Sequence, residues 1–215
     1  EYCNLRCIYC MPEEGLSLRN KNELLSTKEI KKLIKISEQL GVSKIRFTGG
    51  EPLMITGQAA SMGIYRELER QANLPCSMTY ETNGTQKLTE PFKQWVKNIP
   101  EEIFFSVSPK LFTVSGEKTE KAIKPENVAE YKECSDRGQL KFVVGASRRE
   151  WEELENTVRK FREAGIDWPV WIMPTGAREE EQTATAGKVA EEAFKRGYNV
   201  AARVHVYLFG NAIGT

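Results

Sequence analysis

From residue 27 onward the chain alternates two hydrophobic patterns. Ile30, Leu33, Ile34 and Leu40 recur at helical spacing, which predicts a helix opened by the capping box Ser26-Thr27-Lys28-Glu29 and stopped at Gly41. A second capping box, Ser147-Arg148-Arg149-Glu150, predicts a helix carrying Trp151, Leu154, Val158 and Phe161 and ending before Gly165. A third long helix is expected through the 180s to Gly197. Between such segments lie short apolar runs at 44–47, 77–81, 103–107, 140–144, 170–173 and 200–208, which read as strands. With no linker, low-complexity tract or repeat, residues 1–215 are expected to form one α/β domain with a mostly parallel sheet and right-handed crossovers.

In a parallel sheet the binding groups gather beyond the carboxyl ends of the strands. Polar clusters stand at those ends: Gly49-Gly50-Glu51, Glu81-Thr82-Asn83-Gly84-Thr85, Ser106-Val107-Ser108-Pro109-Lys110 and Met173-Pro174-Thr175-Gly176. Asn83-Gly84 and Pro174-Thr175-Gly176 are also ordinary turn chemistry, but a succession at strand ends points to a shared site.

Charge narrows the classes of partner. Lys and Arg number 31 against 30 Asp and Glu, a net charge of +1, so there is no basic footprint for nucleic acid or an anionic membrane. A small-molecule substrate is the expectation. No signal peptide or membrane span is evident, and an odd count of 5 cysteines, three of them clustered, suits a reducing cytoplasmic compartment.

Those three, Cys3, Cys7 and Cys10, are spaced C-x-x-x-C-x-x-C. A structural zinc site would need a fourth ligand, and Cys76, Cys134 and the sole histidine, His205, are isolated far along the chain. Three thiolates suit three irons of a [4Fe-4S] cubane and leave the fourth iron open. Together with Thr48-Gly49-Gly50-Glu51-Pro52 after a strand, the spacing resembles the radical S-adenosylmethionine superfamily. The resemblance implies an open, partial (β/α)₆ barrel. It also implies S-adenosylmethionine on the open iron and reductive formation of a 5′-deoxyadenosyl radical.

Site roles follow from that resemblance. Gly49 and Gly50 permit close backbone approach, and Glu51 or nearby carbonyls would accept from the ammonium of the methionyl group. Thr82 and Asn83 suit ribose hydroxyls, Ser108 and Lys110 suit a carboxylate, and Tyr9 and Met173 are expected beside the cofactor. His205 is the candidate substrate contact.

Two finer resemblances divide the chain. Residues 1 to about 53, with Cys3-Asn4-Leu5-Arg6-Cys7-Ile8-Tyr9-Cys10-Met11-Pro12, are similar to the GTP cyclases of molybdenum-cofactor biosynthesis. From about residue 81 the chain resembles 7-carboxy-7-deazaguanine synthase, through Ser108-Pro109-Lys110, Leu140-Lys141-Phe142-Val143-Val144 and Trp171-Ile172-Met173-Pro174. The second resemblance implies conversion of 6-carboxy-tetrahydropterin to 7-carboxy-7-deazaguanine in queuosine biosynthesis, a lyase reaction, and is the first reading of function. Radical chemistry on GTP, and a chain that holds a cluster without turnover, are the alternatives.

The resemblances further imply Mg²⁺, a reducing flavodoxin or ferredoxin, a pterin- or purine-like substrate and a homodimer. Two departures stand out. Met11-Pro12 occupies the place of the synthase family's Mg²⁺-binding threonine, and the C-terminal part has only Cys134 where the cyclases hold a second cluster. The superfamily's first barrel strand is expected to lie upstream of Glu1.

Overall fold

A computed structural model describes residues 3–8, 27–48, 50–71, 74–176 and 178–209. In chain order these form α1 (Thr27–Gln39), β1 (Lys44–Phe47), α2 (Ile55–Arg70), β2 (Ser77–Thr82), α3 (Glu90–Asn98) and β3 (Glu102–Val107). There follow α4 (Phe112–Ser115), α5 (Thr119–Ala122), α6 (Pro125–Cys134), β4 (Gly138–Val144), α7 (Arg148–Glu163), β5 (Val170–Pro174), α8 (Glu179–Lys195), β6 (Asn199–Val200) and α9 (Val204–Phe209).

The strands make one sheet in the order β1-β2-β3-β4-β5-β6, and every neighbouring pair is parallel. Parallel neighbours need a crossover long enough to return the chain to the same end of the sheet. Each connection contains helix, so all six strands end at one rim. β1 and β6 pair on one side only, and the sheet is therefore open among the described residues.

Alternation along the strands separates two faces. Tyr80, Phe105 and Phe142 are fully buried beneath the helices, where Tyr80 meets Phe92 of α3, Phe105 stacks on Tyr131 of α6 and Phe142 meets Phe161 of α7. Each such side chain contributes on the order of 2–3 kcal/mol through removal from water. Their sequence neighbours Glu81, Ser106 and Lys141 point to the other face, where they line the rim together with Val143 and Met173. The capping box at Ser147 is formed in full, with Ser147 and Glu150 bonding to each other's backbone, and Trp151, Leu154, Val158 and Phe161 are buried along α7.

One expectation is corrected. The run 200–208 is not one strand: β6 ends at Val200, and Val204–Phe209 is helical. β6 is an edge with pairing only to Trp171 and Ile172, so β-branched propensity there has little ladder to reward it, and Val206 is buried from a helix instead. The expected helix α1 forms, and its apolar stripe is partly covered. Ile34 is buried, whereas Leu33 and Leu40 are exposed; the side chain of Ile30 and all of Ser26 lie outside the described residues. Among the described residues no helix is long and apolar enough to cross a membrane.

Candidate functional site

A cavity of about 410 Å³ opens at the rim where the strands end. Cys3 and Cys7 lie on it beside the ends of β1 to β3, and Lys141, Met173, Thr175 and Arg203 line it along β4 and β5 and beyond β6. Of the residues singled out in the sequence, Gly50, Thr82, Asn83, Ser108, Lys110 and Met173 also line it. Lys110 Nζ donates to Ser108 Oγ at 3.0 Å, which holds the ammonium at the end of β3. Tyr9, Cys10, Met11, Pro12 and Gly49 lie outside the described residues, as does the side chain of His205, whose backbone belongs to α9.

The cysteine loop is docked by polar contacts from two sides. On one side, Arg6 N–H donates to the Glu117 carboxylate and Ile8 N–H to Ser115 O at 2.9 Å. Leu5 and Cys7 are buried against Ala122. Burial pushes Glu117 upward, but the Arg6 N–H, the Lys121 ammonium 3.1 Å away and the Arg6 charge outweigh it and leave the carboxyl below its ordinary value. On the other side, Asn83 Nδ2 donates to Asn4 Oδ1 at 3.0 Å and approaches Cys3 Sγ at 3.5 Å, while Asn4 Nδ2 donates to Thr85 Oγ1 at 2.8 Å. The turn that presents Asn83 needs Gly84, whose φ of +79° is left-handed and whose missing Cβ would come 2.7 Å from Val107 Cγ1.

Glu51 stands apart from the other sequence candidates. It is not on the cavity wall and its carboxylate is turned into the protein. Oε1 accepts from Leu53 N at 3.0 Å and Thr82 Oγ1 at 2.7 Å, and Oε2 accepts from Asn83 N at 2.8 Å. Burial raises its pKa, opposed by those three donors. The carboxylate expected to accept from a cofactor ammonium is thus engaged by Leu53, Thr82 and Asn83 and is not on the wall of this cavity.

Sequence reasoning passed over several residues on the wall. Lys141 had a legible signal: a lysine in the middle of Leu140-Lys141-Phe142-Val143-Val144 must sit on the face opposite the buried Leu140, Phe142 and Val144. Among the described residues its ammonium forms no hydrogen bond or ion pair, and it lines the cavity. Glu81 accepts from Thr48 Oγ1 at 3.2 Å and pairs with Arg46 at 3.3 Å. Arg203, which donates to Gly176 O at 2.7 Å, stands in Arg203-Val204-His205, a segment similar to the 7-carboxy-7-deazaguanine synthases, but no role on the wall was read for it.

The donor set on the cavity suits an iron–sulfur cluster rather than a carboxylate-bound ion. Two thiols face it from one short loop, and among the described residues no group of three His, Cys, Asp or Glu gathers anywhere to offer a different metal site. The third thiol of the spacing motif is Cys10.

Comparison with known proteins places these observations. A sequence model of the Radical SAM superfamily matches residues 1–185. Over 56 residues the chain is 59% identical to a GTP 3′,8-cyclase of Thermodesulfovibrio yellowstonii, a match covering 26% of this chain and 17% of that protein. Over 73 residues it is 52% identical to molybdenum cofactor biosynthesis protein 1 of Drosophila melanogaster, covering 33% of this chain and 13% of that one. Streptococcus suis SuiB, solved bound to S-adenosylmethionine, superposes with a TM-score of 0.58 and 15% identity over 100% of this chain and 49% of SuiB. That likeness is one of fold. The chain spans about half the length of SuiB, and its matches cover less than a fifth of the two curated relatives.

Proposed function

The chain belongs to the Radical SAM superfamily, and from that premise we propose that it abstracts hydrogen from an anionic small molecule of the purine or pterin class. When bound, the [4Fe-4S] cluster and S-adenosylmethionine supply reductive cleavage of the sulfonium to a 5′-deoxyadenosyl radical. Cys3, Cys7 and Cys10 would hold the cluster. Gly50, Ser108 and Lys110 would orient S-adenosylmethionine, with backbone approach at Gly50 and a cation for its carboxylate at Lys110, while the Thr82 hydroxyl is taken up by Glu51.

One observation carries the substrate class: Lys141, whose side chain is unpaired among the described residues, shares the cavity with Cys3 and Cys7. An ammonium on a half-enclosed wall is stabilised by a substrate phosphate or carboxylate more than by water. GTP is the substrate that the relatives favour, since they include a GTP 3′,8-cyclase and a molybdenum cofactor biosynthesis protein 1. A 7-carboxy-7-deazaguanine synthase activity is the second reading, supported by Ser108, Lys110, Lys141 and Met173 all lining the cavity, because they come from the segments that resemble that family.

Anaerobic turnover with S-adenosylmethionine, a flavodoxin or ferredoxin reductant and either GTP or 6-carboxy-tetrahydropterin tests the assignment. Substrate-stimulated 5′-deoxyadenosine with GTP alone supports the cyclase reading, and stimulation by the pterin alone, with or without Mg²⁺, supports the synthase reading. Equal, unstimulated cleavage with both would exclude this substrate class.

A further inference from the structure

The three donors that meet Glu51 explain why a carboxylate stands there and what it positions. Its oxygens face an O–H and two main-chain N–H groups, so both must accept. A glutamine would turn an N–H toward one of those donors and leave it unsatisfied at a buried site.

Asn83 is the residue these bonds fix. Its main-chain N–H is held by Glu51, its Oδ1 accepts from Thr85 N at 3.0 Å and Thr85 Oγ1 at 2.6 Å, and its Nδ2 is left to face Asn4 Oδ1 and Cys3 Sγ. The amide therefore has one orientation, with its donor on the thiol.

We propose that Glu51 is a positioning residue which, through Asn83, sets a hydrogen bond to the Cys3 sulfur and so raises the reduction potential of the cluster. The inference rests on the radical reading given above. An N–H directed at a ligand sulfur stabilises the reduced, more negative cluster over the oxidised one, so its loss drives the potential down. Glu51 contributes by fixing the donor before reduction, not by touching the cofactor.

The test is an EPR-monitored potentiometric titration of the anaerobically reconstituted full chain without S-adenosylmethionine. Asn83→Leu removes the donor at similar size, and Glu51→Gln removes its support. Each is expected to shift the midpoint to more negative potential with iron content unchanged, and the double variant to shift no further than Asn83→Leu alone. Thr82→Val, which deletes one of the three donors to Glu51, should give a smaller shift of the same sign. If Glu51→Gln does not fold, Thr82→Val alone and combined with Asn83→Leu is judged by the same non-additivity. A wild-type midpoint in Glu51→Gln at full iron loading, or shifts that add in the double variant, would overturn the proposal. A wild-type chain that takes up no cluster would overturn the radical reading and this inference with it.

Discussion

Glu117 accepts the main-chain N–H of Arg6, the residue just before Cys7, across 111 positions of sequence. The bond ties the cysteine loop to the turn between α4 and α5, where Lys121 balances the carboxylate. Glu117→Ala removes a charge-assisted bond of about 1.5–3 kcal/mol, and the loop should undock more often. Iron release to a chelator is expected to be at least about tenfold faster than in the wild type. An unchanged release rate would mean that packing of Leu5 and Cys7 suffices.

The same pair gives a pH dependence. Glu117 is held below its ordinary value, so its folded pKa lies under its unfolded one. Its contribution is complete above the unfolded value and is lost as pH falls through the folded one. Unfolding of the cluster-free chain between pH 7 and pH 3 should therefore show a stability loss below about pH 4.5 that is shallower in Glu117→Gln. Parallel curves for the two proteins would count against the assigned direction.

How much of this was legible beforehand depended on how local each feature is. β1 fell within the bounds read from its apolar run, and the Ser147 capping box formed because its partners are neighbours in sequence. The strand-end clusters were legible because topology forces them to one rim. By contrast, Gln58 is buried and bonds to Leu53 O, Lys87 O and Thr89, which no periodicity could signal. Glu51 was legible as part of a glycine-rich turn, but the direction of its carboxylate depends on Thr82 and Asn83 thirty-odd residues on. The 200–208 run misled because alternating Val, His and Tyr favour a strand only where a neighbour offers a ladder, and the ladder to β5 stops after the Ala201 N–H bond to Ile172 O, before Val204.

Lys141→Ala should affect substrate and spare the cofactor. Loss of one charge-assisted contact predicts a rise of about 10–100-fold in KM for the anionic substrate. Reduced, substrate-free cleavage of S-adenosylmethionine should continue at the wild-type rate. Equal loss of both would place Lys141 in cofactor binding instead.

Gly84→Ala tests the turn that presents Asn83. The left-handed φ and the approach to Val107 together should cost about 1–3 kcal/mol, read as a lower melting temperature. A stability within about 0.5 kcal/mol of wild type would show that the turn relaxes without strain.

Cys76 and Cys134 are expected to be dispensable for the cluster. Neither lines the cavity; Cys76 is exposed, and burial raises the pKa of the Cys134 thiol. Cys76→Ser and Cys134→Ser should each retain the iron and sulfide content of the wild type. Loss of about a full cluster in either would assign it as a ligand.

The most direct measurement is chromatographic quantification of 5′-deoxyadenosine after the anaerobically reconstituted chain is reduced in the presence of S-adenosylmethionine. The product should form with wild-type protein and vanish in Cys3→Ala, Cys7→Ala and Cys10→Ala. Wild-type protein that carries a full cluster yet forms none, or a Cys7→Ala variant that forms it undiminished, would contradict the assignment of this cavity as a radical-generating site.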